Sequence, residues 1–224
     1  TIAKRFQGVG IENTEENRRA YRELLLTTPK LSDYISGAIL FDETIRQSTK
    51  DGVPFAKYMS DHGIIPGIKV DKGTHALAGF PGEVVTEGLD GLRERLAEYY
   101  KLGARFAKWR AVITIGEDIP SGTCIEANAH ALARYAALCQ EAELVPIVEP
   151  EVDIKAADKQ AIEVELKKGL LARLDQLDPS TPVVLKLTLP SVDGYFQELV
   201  DHPAVLKVVA LSGGYSRDEA NARL

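Results

Sequence analysis

The 224-residue sequence has two cysteines, four histidines and no apolar run long enough to cross a bilayer. Cys124 and Cys139 form no CxxC or Cys/His spacing, which points to reduced, buried thiols and an intracellular, cytoplasmic home. His62, His75, His130 and His202 are scattered, without HxH or HExxH, so surface or capping roles are expected and no metal or other cofactor. No GxGxxG follows the first strand-like run and no GxxxxGK(S/T) occurs, which removes support for a nucleotide-binding sheet. A serine hydrolase would need a nucleophile elbow, and none is found. No signal peptide opens the chain. The formal net charge of −6 argues against nucleic acid or a membrane as the main partner, while leaving room for a local basic pocket.

What is present is an alternation of short apolar strands and amphipathic helices over one domain, residues 1–224. Hydrophobic content of 45% and charged content of 27% suit a packed core. Strands are expected at 35–41, 64–70, 104–113, 145–152, 183–189 and 205–211. Helices are expected from the Asn13-Thr14-Glu15-Glu16 cap to Leu26, after Asp90 through Tyr99 with Gly103 behind it, and along Ile125, Ala129, Leu132, Ala136 and Cys139. Further helices are expected at 156–177 and from Ser216 onward. Strands separated by helices make βαβ crossovers and a parallel sheet, so the fold class is α/β, of the TIM (β/α)8 barrel type. Such a barrel needs eight strands and about 250 residues, so the chain is expected to cover about strands 2 to 7. A start at Thr1 without Met and a stop within a helical pattern fit a cut at both ends, leaving sheet edges at 35–41 and 205–211.

Lys186 stands out within this pattern. It is the one charge in the run Val183-Val184-Leu185-Lys186-Leu187-Thr188-Leu189. A lysine in a buried strand needs a partner or a lowered pKa, and a desolvated lysine is a nucleophile suited to imine formation with a carbonyl. Period-two alternation puts Lys69 with Asp71, Lys108 with Arg110, and Glu149 with Glu151 on shared faces. Each pair lies at a strand's C-terminal end, where barrel enzymes place their chemistry. A lone strand lysine is as readily an edge charge against aggregation, and a charge pair a solvated face. Several strands breaking pattern at one end is harder to explain by stability, because buried charge is costly. Cationic neighbours would lower the Lys186 pKa, Glu149 would move protons and Glu151 would orient the cluster. Backbone N–H groups at Ser212-Gly213-Gly214 would cradle one phosphate, and Lys69 with Arg110 a second anion. The expected substrate is a phosphorylated sugar carbonyl.

Several segments carry a resemblance. Ile2-Ala3-Lys4-Arg5-Phe6, Glu12-Asn13-Thr14-Glu15-Glu16-Asn17-Arg18-Arg19, Gly67-Ile68-Lys69-Val70-Asp71-Lys72-Gly73, Ala107-Lys108-Trp109-Arg110 and Val145-Pro146-Ile147-Val148-Glu149-Pro150-Glu151 resemble class I fructose-bisphosphate aldolase. Up to about Val152 the likeness is to the vertebrate, plant and proteobacterial branch. From Asp153 the sequence, with Lys186 in VVLKLTLP and LSGGYSRDEAN after it, is similar to the shorter Gram-positive enzymes, which sets a seam near 152/153. The resemblance implies a metal-free glycolytic and gluconeogenic lyase that cleaves fructose 1,6-bisphosphate. It gives Lys186 as the Schiff-base lysine, Glu149 as the proton carrier, Lys108 as its charged neighbour and Glu151 as support. Thr1, Arg5, Lys69 and Arg110 become substrate or phosphate contacts, and Ser212, Gly213 and Gly214 the other phosphate's cradle. A homo-oligomer is implied by the family alone. Another phosphorylated aldol, such as a ketose 1-phosphate, and an inactive barrel fragment are the alternatives. The family's aspartate upstream of Thr1 and its last strand's serine and arginine have no counterpart here.

Overall fold

The computed structural model describes residues 2–152 and 159–223. In chain order it contains α1 (Ile2–Gly8), α2 (Glu15–Leu26), β1 (Gly37–Leu40), α3 (Asp42–Ile45), α4 (Phe55–Asp61), β2 (Ile65–Lys69), β3 (Gly73–Ala76), β4 (Val84–Glu87) and α5 (Leu92–Lys101). It continues with β5 (Phe106–Ile113), α6 (Gly122–Glu141), β6 (Val145–Val152), α7 (Lys159–Leu174), β7 (Val183–Thr188), α8 (Gln197–Val200), β8 (Val205–Leu211) and α9 (Arg217–Ala222). Two compact units result. One holds Thr1–Lys69 and Ala97–Ala107, the other Val70–Leu96 and Lys108–Leu224.

In the first unit β1 runs parallel to β2, in register from Gly37↔Ile65 to Leu40↔Ile68. The chain entering β5 joins them through Arg105 N–H to Pro66 O at 2.9 Å. Gly67 is required here. A Cβ at that position would lie 2.2 Å from the Phe106 ring, so only glycine lets the ring close over β2. Phe55, Ala56, Met59 and Ile68 form fully buried apolar positions of α4 and β2.

α2 carries no buried residue and is held by charge instead. Its N-cap is Thr14, whose hydroxyl accepts Asn17 N–H at 3.2 Å. With Thr14 as N-cap the N3 residue is Asn17, so Glu16 is no capping partner and pairs instead with Arg19 at 2.8 Å. Thr27 and Thr28 hydroxyls take the carbonyls of Glu23 and Leu24, closing the C-terminus. Arg18 and Arg22 both reach Glu43, at 2.5 Å each, and their hydrogen bonds hold its carboxyl down from 4.5 to about 2. The unfolded carboxyl takes its proton near 4.5 and the folded one only near 2, so this network stabilises fully above 4.5 and is lost as pH falls through that window. Glu43→Gln is accordingly expected to lower the melting temperature at pH 7, with a gap from the parent that shrinks from pH 4.5 to pH 3. A gap of constant size would exclude the carboxylate as its source.

In the second unit the strand order is β5-β6-β7-β8. β6 and β7 are parallel with Val148↔Leu185, and β7 and β8 are parallel with Lys186↔Val209. All six expected strands are present; β6 and β8 have the expected bounds and the other four are shorter by one to three residues. β1 and β8 stand at the outer ends of their units' strand orders among the described residues, as expected for edges. β3 and β4 were not expected. They pair antiparallel, Gly73↔Glu87 to Ala76↔Val84, and at four residues each are too short for a periodic signal.

The apolar face expected on α6 holds at Leu132, Ala136 and Cys139 but not at its start. Cys124, Asn128, Leu132, Tyr135 and Cys139 are buried, while Ile125 is 48% exposed. Asn128 explains the difference. Its amide accepts Thr86 N–H and donates to Val84 O, clipping α6 to β4, and this outweighs burial of one isoleucine. Burial pushes both cysteine thiols upward, as expected of unreactive core cysteines. His202 has the expected capping role, its Nδ1 accepting Ala204 N–H at 3.1 Å. The seam expected near 152/153 and the helix start at 156 fall on 153–158, outside the described residues, as do Thr1 and Leu224.

Candidate active site

β5, β6 and β7 each deliver one charged side chain to the same place in the second unit. The register Val148↔Leu185 leaves Glu149 level with Lys186. Lys186 Nζ donates to Glu149 Oε1 at 2.7 Å, and Lys108 Nζ stands 3.4 Å from Glu149 Oε2. Lys108 also lies 3.5 Å from Asp71 Oδ2, so the four groups form a run of alternating sign, Asp71, Lys108, Glu149, Lys186. The carboxylates and Lys108 are buried, whereas the Lys186 side chain keeps 26% of its surface. Of the two expected outcomes for a lysine in this strand, a partner or a lowered pKa, the structure shows a carboxylate partner, and the side chain is half-buried rather than desolvated. That suits a nucleophile, which must meet substrate from the solvent side.

Among the described residues Glu149 Oε2 has no hydrogen bond although it is fully buried, and it faces Lys108 across the longer gap. A buried carboxylate oxygen in this state is open to a proton or a donor brought by a ligand. Glu149 thus places a buried carboxylate directly beside the Lys186 amine.

Two residues on from Lys108 and Glu149, the same alternation carries Arg110 and Glu151 outward. Arg110 Nε and Nη2 grip Glu151 Oε2 and Oε1 at 2.5 and 2.7 Å, a bidentate fork that holds the guanidinium above its ordinary range. Glu151 thus holds the Arg110 guanidinium in place.

Lys69 ends β2 in the first unit, and Asp71 lies past that strand's end rather than on its face. Arg5, also in the first unit, donates to Tyr21 Oη at 3.2 Å. Ser212, Gly213 and Gly214 follow β8 in the second unit. There Tyr215 N–H donates to Ser212 O at 3.1 Å, and Gly213 and Gly214 take φ of 62° and 111°, which non-glycine residues rarely adopt. The helix behind this turn is only six residues long and its Ser216 cap uses Glu219 N–H, so any anion affinity belongs to the turn's own N–H groups.

Sequence reasoning noted Asp71 but gave it no part in the site. The Asp71 signal was present, an acid two residues after Lys69. What was missing was that β2 ends first and the chain turns Asp71 toward Lys108.

The family described as glycolytic, fructose-bisphosphate aldolase class-I, matches residues 1–174. The probable fructose-bisphosphate aldolase class 1 of Xanthomonas campestris pv. campestris is 62% identical, covering 100% of this chain and 73% of its own. That alignment spans 257 positions against the 224 residues here, so the relative carries residues this chain lacks. The cytoplasmic isozyme of Spinacia oleracea is 47% identical over 100% of this chain and 68% of its own. A solved structure of fructose-bisphosphate aldolase from Plasmodium falciparum, in complex with TRAP and a small-molecule inhibitor, is 40% identical. It superposes with a TM-score of 0.87 over 100% of this chain and 71% of that one. The fold class is accordingly α/β with the parallel strands of a (β/α)8 barrel. With identity this high over its whole length, the chain belongs to the class I fructose-bisphosphate aldolase family.

Proposed function

We propose that the chain performs reversible aldol cleavage of fructose 1,6-bisphosphate to dihydroxyacetone phosphate and glyceraldehyde 3-phosphate, with Lys186 as the imine-forming residue. The observation that carries this assignment is the 2.7 Å pairing of Lys186 with the buried Glu149. Lys186 Nζ, as free amine, attacks the C2 carbonyl carbon and gives a carbinolamine. Glu149 supplies the proton with which the hydroxyl leaves as water. The protonated imine then draws the C3–C4 bonding electrons as the C4 hydroxyl releases its proton and the aldehyde departs. The resulting enamine takes a proton at C3, and water returns the lysine. Lys108, 3.4 Å from Glu149 Oε2, is the neighbouring cation during these transfers.

Ser212, Gly213 and Gly214 take one phosphate and the Arg110–Glu151 fork presents a cation to the other. Thr1, Arg5 and Lys69 as substrate contacts rest on the family resemblance. The reading treats 1–224 as one barrel domain with a change of family branch near 152/153. A cytoplasmic setting is supported by the cytoplasmic spinach relative.

The test is borohydride reduction of the chain in the presence of dihydroxyacetone phosphate, followed by peptide mapping. A secondary amine at Lys186, formed equally well in EDTA, is the expected product. No adduct, an adduct on another lysine, or loss of activity in EDTA would sink the assignment.

A further inference from the structure

α7 opens with a buried ion pair that none of these steps uses. Lys159 and Glu163 are one helical turn apart and both buried. Lys159 Nζ donates to Glu163 Oε1, to Leu189 O at 2.8 Å and to Ser191 Oγ at 3.3 Å, so all three of its protons have acceptors. Both oxygens of Glu163 accept Ser191 N–H, at 3.2 and 3.1 Å. The pair therefore grips the main chain at two points just past β7, the nearer being three residues after Lys186.

The same short segment meets the ends of both neighbouring strands. Leu189 N–H donates to Leu211 O at 3.2 Å, next to Ser212. Thr188 joins β6 through its side chain, its hydroxyl donating to Val152 O at 3.2 Å and accepting Val152 N–H at 3.4 Å. Main-chain register between β6 and β7 is set further back, at Ile147↔Val184 and Val148↔Leu185. Toward the reactive end β7 is thus fixed to β6 by a side chain, and the charged pair of α7 supplies the second hold.

Apolar residues of the same volume would fasten a loop with equal or greater stability, because burying two charges costs desolvation. Charge-assisted hydrogen bonds to chosen backbone atoms add direction, which apolar packing lacks. We infer that Lys159 and Glu163 are positioning residues that fix the end of β7 and with it the reach of Lys186 Nζ toward the substrate carbonyl. This rests on Lys186 as the imine-forming residue.

Two variants of the full chain test it, each read by melting temperature, by kcat and KM for fructose 1,6-bisphosphate, and by the rate of borohydride-trapped adduct formation with dihydroxyacetone phosphate. Glu163→Gln keeps the shape and weakens the grip. It is expected to slow trapping and kcat together, roughly 10- to 100-fold, with KM little changed. The double variant Lys159→Met/Glu163→Leu removes both charges and is expected to melt at or above the parent's temperature yet stay slow. A Glu163→Gln chain with parental trapping rate overturns the inference, and so does a double variant whose rate recovers with its stability, since the pair would then be structural only. A parent chain that forms no adduct at Lys186 instead overturns the proposed function, which keeps the two failures apart.

Discussion

Lys186→Met is expected to abolish both turnover and borohydride trapping, with kcat reduced on the order of 10⁴-fold or more, as for loss of a covalent nucleophile. Methionine matches the lysine stem in length and polarisability, so the apolar part of the β7 packing survives. What disappears is the amine. Glu149 Oε1 loses its donor at 2.7 Å, but the carboxylate keeps Lys108 3.4 Å from Oε2, so its charge is not left alone in the interior. The melting temperature is therefore expected to stay within a few degrees of the parent's, separating lost chemistry from lost fold. Lys186→Arg sharpens the test. It keeps a cation beside Glu149 but cannot form the imine, because guanidinium stays protonated. Substantial activity in either variant would move the chemistry to another lysine.

Glu149→Gln ranks second, with an expected loss of about 10²- to 10⁴-fold in kcat, the range for removing a positioned proton carrier. Glutamine keeps the shape and one acceptor for Lys186, but it cannot carry a proton and leaves Lys108 with Asp71 as its remaining carboxylate at 3.5 Å. The adduct at Lys186 is expected to form in full yield but slowly, because the lysine remains and the proton transfers of carbinolamine dehydration do not. KM is expected to move little, since Glu149 is assigned to protons and not to phosphate. A kcat within about fivefold of the parent would leave Glu149 as an ion-pair partner only, well below the ordinary contribution of general acid–base catalysis. A loss of adduct yield as complete as in Lys186→Met would instead show that Glu149 governs formation of the nucleophile itself.

Both predictions concern residues legible in the sequence, and the reason is the same for each. A β-strand has a fixed side-chain period, so a charge interrupting an apolar run is visible without coordinates. Lys186 in VVLKLTL and Glu149 in VPIVEPEV are such interruptions. Lys159 and Glu163 were illegible because they sit in a helix rich in charge, where an i,i+4 Lys/Glu pair is ordinary on a solvated face. Nothing in that spacing says that this face turns inward. The start of the buried α6 face escaped for the converse reason: a buried polar residue, Asn128, outweighed the apolar periodicity at Ile125.

By itself the sequence determined the α/β class, the six parallel strands, the chemically marked lysine and the acids that alternate with it, because these follow from local periodicity and from the cost of burying charge. Tertiary structure alone decided which acid meets which base. Register between β6 and β7 set Glu149 against Lys186, the end of β2 freed Asp71 to approach Lys108, and the packing of α7 turned a commonplace ion pair into an anchor for the reactive strand. Such choices depend on distances between residues far apart in the chain. Coulombic and hydrogen-bond energies change steeply over an ångström, and no local pattern encodes that distance.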